Sequence, residues 1–240
     1  MSGPLHSMAL LITIVGGCAA PIPSYPAMSD RDAIQTIRLR QDTLRHVTAD
    51  CTLVLADEDG ARVSLDSVLI AEFPNRLRIR AWKLGQAVFD LTLNEDGAWL
   101  FQPRRDRTAD QVDTSKLPAE RLGESLDLLG AEYFQTAVPV AGGKTSLVVR
   151  GHAFGIRDID CEIDRKTLTP TRFTLPAGSG NPDRHLLLSR YIAVDEHVWP
   201  GRMQLVDNTG SIIIRFGTVE LNDEIPPSAF TPPRRARLIQ

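Results

Sequence analysis

Residues 75–101 read NRLRIRAWKLGQAVFDLTLNEDGAWLF, and their periodicity decides the fold class. Leu77, Ile79 and Ala81 alternate with Arg76, Arg78 and Arg80. Ala87, Phe89, Leu91 and Leu93 then alternate with polar neighbours. A period of two puts one set of side chains on each face of a strand. KLGQ and NEDG interrupt the runs as turns, and Trp99 and Phe101 fall on a third strand. Strands that follow one another at hairpin distance pair antiparallel. With the hairpin centred near Lys83 and Leu84, Arg78 is expected opposite Asp90 on a solvated outer face.

The same period extends in both directions. Upstream, Cys51, Leu53 and Leu55 alternate, ADEDGA turns the chain, and ARVSLDSVLIAEF runs to a break at Pro74 and Asn75. Before them, Ser29 and Asp32 form a capping-box pattern, with Ile34, Ile37 and Leu44 at helical spacing. This predicts a helix over about 31–46. Downstream, PRRDRTADQVDTSK is a charged loop. KLPAERLGESLDLLG then places Leu122, Leu126 and Leu129 on one stripe, with Gly130 as a helix stop. TSLVVRG, RDIDCEID, TPTRFTLP, HLLLSRYIAV, GRMQLVDN and SIIIRFGTVEL read as further strands. The expected fold is mainly β with an α lid: an antiparallel sheet of about 11 strands, curled into a half-barrel and covered by helices.

Composition sets the class. The chain has 240 residues, 42% of them hydrophobic, which suits one core. A net charge of −3 offers no field for nucleic acid. Cys51 and Cys161 fall on apolar strand faces; an oxidising compartment would permit a disulfide, and two buried thiols are the simpler reading. The histidines lack metal-ligand spacing, AGSGN is not a nucleophile elbow, and AGGKTS lacks the first glycine of a phosphate loop. No enzyme activity, cofactor or metal is expected.

The apolar run from Met8 to Val15 is too short for a membrane span, which needs about 20 residues. It fits the core of a signal peptide over 1–17. Val15-Gly16-Gly17-Cys18 resembles the lipobox of bacterial lipoproteins, which implies a lipid on Cys18 and, with Ala19 next, the outer membrane. Residues 18–30 then read as the lipidated cysteine and a flexible, proline-rich tether, and 31–240 as one domain.

The 75–101 stretch, the helix–meander–lid–meander order and the ending AFTPPR together resemble the periplasmic lipoprotein carrier and receptor family, LolA and LolB. The lipobox makes the resemblance nearer to the anchored receptor, LolB. The family implies an apolar space between sheet and lid that takes acyl chains of lipidated cargo. Its expected lining is Leu53, Leu55, Leu77, Ile79, Phe89, Leu91, Trp99 and Phe101 from the sheet, with Leu122, Leu126 and Leu129 from the lid. Residue by residue, a packed core is the alternative. The resemblance also implies membrane insertion at the hairpin residue Leu84, with Trp82 suited to the headgroup level. Expected partners are lipoprotein or lipid acyl chains, a soluble periplasmic carrier and the membrane, reached by a monomer on the periplasmic side of the outer membrane. Two alternatives stand: a carrier of another envelope lipid, and a structural lipoprotein with a solid core.

Overall fold

The computed structural model describes residues 21–57, 61–103, 119–153, 155–176, 183–207 and 210–239. The leader over 1–17, Cys18 and the charged loop after 103 lie outside them. Helix α1 (Asp30–Gln41) precedes strands β1 (His46–Asp57), β2 (Arg62–Glu72), β3 (Arg76–Lys83), β4 (Gln86–Asn94) and β5 (Gly97–Phe101). Helices α2 (Ala119–Asp127) and α3 (Ala131–Thr136) follow. The second meander is β6 (Val138–Gly142), β7 (Ser146–Ala153), β8 (Ile156–Asp164), β9 (Thr169–Leu175) and β10 (Arg184–Ser189). A small hairpin, β11 (Ile192–Val194) and β12 (His197–Trp199), leads to β13 (Arg202–Asp207), β14 (Gly210–Leu221) and β15 (Arg237–Leu238).

Thirteen strands make one antiparallel sheet in the order β15-β5-β4-β3-β2-β1-β14-β13-β10-β9-β8-β7-β6. The two end strands do not pair, so the sheet is open. The meanders meet where β14 returns to β1, with Val47 opposite Leu221 and Leu55 opposite Ile212. The mainly-β fold with a helical cover is therefore the expected one, and the sheet is larger than about 11 strands.

Three local differences have physical causes. Helix α1 stops at Gln41, short of 46, because Asn222 caps the chain beyond it. The Asn222 side chain accepts from the Arg45 amide at 2.7 Å and donates to the Thr43 carbonyl at 3.0 Å. The lid helix stops at Asp127, and Gly130 is the N-cap of α3 rather than the stop. HLLLSRYIAV splits at Arg190, whose φ of +57° no strand accommodates.

The outer face of β3–β5 is covered in part: Arg78 and Asp90 are shielded, whereas Arg80 stays half exposed. Arg78 holds Asp90 through two hydrogen bonds of 2.9 and 2.8 Å, although the residue directly opposite Asp90 is Arg80. A bulge at Ala81–Trp82 sets that register. The 3-10 helix Pro227–Phe230 lies over the pair, and Arg78 also donates to the Ala229 carbonyl at 2.8 Å. Phe230, the aromatic of AFTPP, is buried there.

The N-terminal tether is partly docked. Residues 21–29 have no regular structure, but Tyr25 and Met28 pack against the core. Ser29 caps α1 as expected, its hydroxyl accepting from the Asp32 amide at 3.2 Å. Cys51 and Cys161 are buried free thiols.

Candidate functional site

The site is the space between the helix-facing side of the sheet and the helices α2 and α3. Leu53, Leu77, Ile79, Phe89 and Leu91 all point into one buried cluster, as the period of two requires. Leu122, Leu126 and Leu129 join it from the lid, and Leu55 packs at its margin. None of Leu77, Ile79, Leu91, Leu122, Leu126 and Leu129 is more than 3% exposed, so lid and sheet side chains fill this space against one another. Gly123 brings α2 close to β4, since a Cβ there would stand 2.9 Å from Leu93 Cδ2.

Trp99 and Phe101 are a correction. In β5 the buried residues are Ala98 and Leu100, and Leu100 belongs to the core cluster. Trp99 and Phe101 occupy the opposite face, where β15 pairs with β5 and sets Leu238 opposite Trp99. Both faces of β5 carry apolar side chains, and Trp99 and Phe101 are half-buried, so hydrophobicity alone does not give the phase of the strand. Trp82 is on that same outer face, with the Arg80 guanidinium 5.4 Å from its ring centroid.

The lid contains residues that the leucine stripe did not reveal. Leu128, Tyr133 and Phe134 are completely buried. Tyr133, Phe134 and Phe173 form an edge-to-face group with centroids 5.1–6.4 Å apart. The aromatic pair in AEYFQT was the available signal, but six residues are too few for a helical period to show.

The two lid helices are held differently. The Tyr133 hydroxyl lies 3.2 and 3.0 Å from the carbonyls of Val149 and Ile159. Gly151 leaves room for that ring, since a Cβ there would be 3.0 Å from Tyr133 Cε2. Arg38 of α1 donates to the carbonyls of Phe134 and Ala137 at 2.7 and 2.9 Å. Thus α3 is tied by hydrogen bonds to α1 and to the sheet. In α2, Arg184 pairs with Glu124 at 3.0 Å, and the Asn75 amide donates to the Asp127 carboxylate at 3.3 Å. Burial pushes the Asp127 carboxyl up to about 7.

Outside this space, Leu84 is the most exposed of the large apolar residues described. Lys83 pairs with Gln86, leaving Leu84 and Gly85 as a two-residue turn. Their φ angles of +51° and +75° are those of a type I′ turn, which favours Asn or Gly at its first position. A leucine there is strained, and it is 92% exposed.

Solved structures share this arrangement. An outer membrane lipoprotein-sorting protein domain from Vibrio parahaemolyticus superposes with a TM-score of 0.57 at 13% identity, over 83% of this chain and 95% of that one. A LolA superfamily protein from Nitrosomonas europaea gives 0.57 at 12% identity, over 85% and 98%. This is a LolA-like fold. A DUF1329 family protein from Desulfovibrio piger shares the LolA-like arrangement, at a TM-score of 0.56 and 13% identity, over 85% and 98%. No protein-family sequence model matches the chain, and no curated protein does. The LolA-like likeness is therefore one of fold, carried by sheet order and lid rather than by sequence.

Proposed function

We propose that this chain is a non-enzymatic envelope lipoprotein, moored through Cys18, that binds the acyl chains of lipidated cargo and passes them to the outer membrane. The observation that carries the reading is Leu84. A strained, almost fully exposed leucine at a hairpin tip has no stabilising role in the fold, and its side chain suits insertion among hydrocarbon tails. The solved neighbours support the cargo class, since one is described by its lipoprotein-sorting role.

Binding follows from the lid. Acyl chains need apolar area and no hydrogen bonds, and each CH2 leaving water contributes about 0.8 kcal/mol. The space between sheet and lid is filled by the lid's own leucines, so cargo enters by displacing them. Helix α2 is the half that lifts, while α3, bonded to α1 through Arg38 and to the sheet through the Tyr133 hydroxyl, stays.

The close packing of Leu122, Leu126 and Leu129 on the sheet favours a second reading, a structural lipoprotein with a solid core. Mass spectrometry of lipid co-purified with the protein separates the two: bound acyl species support a carrier, and none support the structural reading. Delivery is tested by Leu84→Glu. Retained cargo binding with lost membrane transfer is expected; unchanged transfer would reject the role of this hairpin.

A further inference from the structure

The last turn of α1 carries a cation that acyl binding does not use. Arg40 Nη2 donates to the Leu168 carbonyl at 2.5 Å. Its Nε and Nη1 are buried and have no acceptor in good hydrogen-bond geometry among the described residues, with the Tyr25 phenol the side chain close enough to hydrogen-bond the guanidinium. Other partly buried guanidinium groups are satisfied by carboxylates, Arg78 by Asp90, Arg165 by Asp30 and Arg184 by Glu124, or, for Arg38, by two main-chain carbonyls. Around Arg40 the polar neighbours are phenols, Tyr25 and Tyr191, and the imidazole of His197. Tyr191 spends its proton on the Pro170 carbonyl. His197 Nε2 receives the Asn222 amide at 3.1 Å, and burial holds its pKa down, so it brings no negative charge.

Arginine keeps its charge when buried, so a guanidinium with a neutral phenol and a carbonyl as its partners, and no counter-charge, remains. Such a group is completed by an oxyanion. The cover over it is the least firmly held part of this end. Tyr25 sits on the irregular segment 21–29, its amide donating to the Lys166 carbonyl at 2.7 Å, and no strand pairing holds that segment.

We propose that Arg40 is a binding site for an oxyanion, a phosphate or carboxylate group, which enters when Tyr25 lifts away. The site lies by the β8–β9 turn, at the far side of α1 from the lid contact of Arg38, and does not depend on acyl binding between sheet and lid. Tyr25 competes with the anion for the guanidinium, so removing the ring tightens binding.

Thermal unfolding of the full chain at constant ionic strength tests this against three probes: inorganic phosphate, dihexanoyl phosphatidic acid and dihexanoylglycerol. Phosphate is expected to raise the Tm saturably. Tyr25→Ala lowers the half-saturating concentration several-fold, and Arg40→Gln abolishes the saturable response. Phosphatidic acid acting at far lower concentration than phosphate, through Arg40, assigns the site to a lipid headgroup; equal potency assigns it to a free oxyanion. Stabilisation by dihexanoylglycerol that survives Arg40→Gln belongs to the sheet–lid space and leaves this site to be judged on phosphate alone. Equal phosphate responses in wild type and Arg40→Gln, or none in wild type and Tyr25→Ala, overturn the proposal. If Arg40→Gln does not fold, Arg40→Lys replaces it: several-fold weaker binding supports the site and unchanged binding overturns it.

Discussion

Arg38 and Phe134 are joined by a hydrogen bond of 2.7 Å from guanidinium to main-chain carbonyl, tying the first helix to the lid. A second bond reaches the Ala137 carbonyl at 2.9 Å. Hydrogen bonds to a charged donor contribute about 1.5–3 kcal/mol, and removing the donor leaves two carbonyls short of a partner. Arg38→Met should therefore lower stability by roughly 2–3 kcal/mol. Hydrogen exchange is the more telling measurement: amides of α3 should exchange faster while those of β1 and β2 keep their protection.

The strain and exposure of Leu84 predict opposite effects on stability and function. Leu84→Gly removes a side chain from a position with φ +51° and should raise stability by about 1 kcal/mol. The same variant should insert less well into lipid monolayers. A variant that is stabler and still inserts equally would separate the strain from membrane contact.

Asp127 makes lid docking depend on pH. Its carboxyl is raised to about 7, so the folded state holds the proton more tightly than the unfolded chain. That contribution is complete below the ordinary carboxylate range near 4 and is lost as pH rises through 7. Asp127→Asn can still accept from the Asn75 amide and cannot ionise. The gain of the Asn variant over wild type should be small below pH 4, grow between pH 4 and 7, and level off at roughly 1–4 kcal/mol by pH 8. Denaturant melts of both proteins across this range check it, and a constant difference would contradict it.

The seat of α3 depends on space as much as on bonds. At Gly151 an added Cβ would stand 3.0 Å from both the Tyr133 ring and Thr136 Oγ1, and 3.2 Å from the Tyr133 carbonyl. Gly151→Ala should push α3 off β7, at a loss of about 1–3 kcal/mol typical of overpacking. Pairing it with Tyr133→Ala should recover part of that loss, which a double-mutant cycle would read.

Much of this was legible because one physical signal, the period of two, dominates wherever one sheet face is buried and the other is not. Leu77, Ile79, Phe89 and Leu91 obey it and lie in the core. The signal fails where that asymmetry disappears. In β5, Trp99 and Phe101 are half-buried and as apolar as the buried Ala98 and Leu100 on the other side. In β6 all residues are exposed and Pro139 breaks the pattern, as an edge strand allows. His197, Val198 and Trp199 are buried together and show no alternation. The lid was half visible: its leucine stripe follows a helical repeat, whereas Tyr133 and Phe134 sit in a helix too short to have one. Arg38 and Arg40 read as the polar side of an amphipathic helix. Only the coordinates separate an arginine that reaches carbonyl oxygens from one left without a counter-charge.

The pairing of β1 with β14 sets residue 47 against residue 221, so the middle of the sheet is the last part to be completed. A newly made chain emerges with β1 as a naked border, and that border is capped only once the chain through residue 221 has been delivered. Such distant pairings assemble slowly and leave adhesive strand edges open in the meantime. Until that pairing closes, the unfinished fold is open to clumping through its own strand borders.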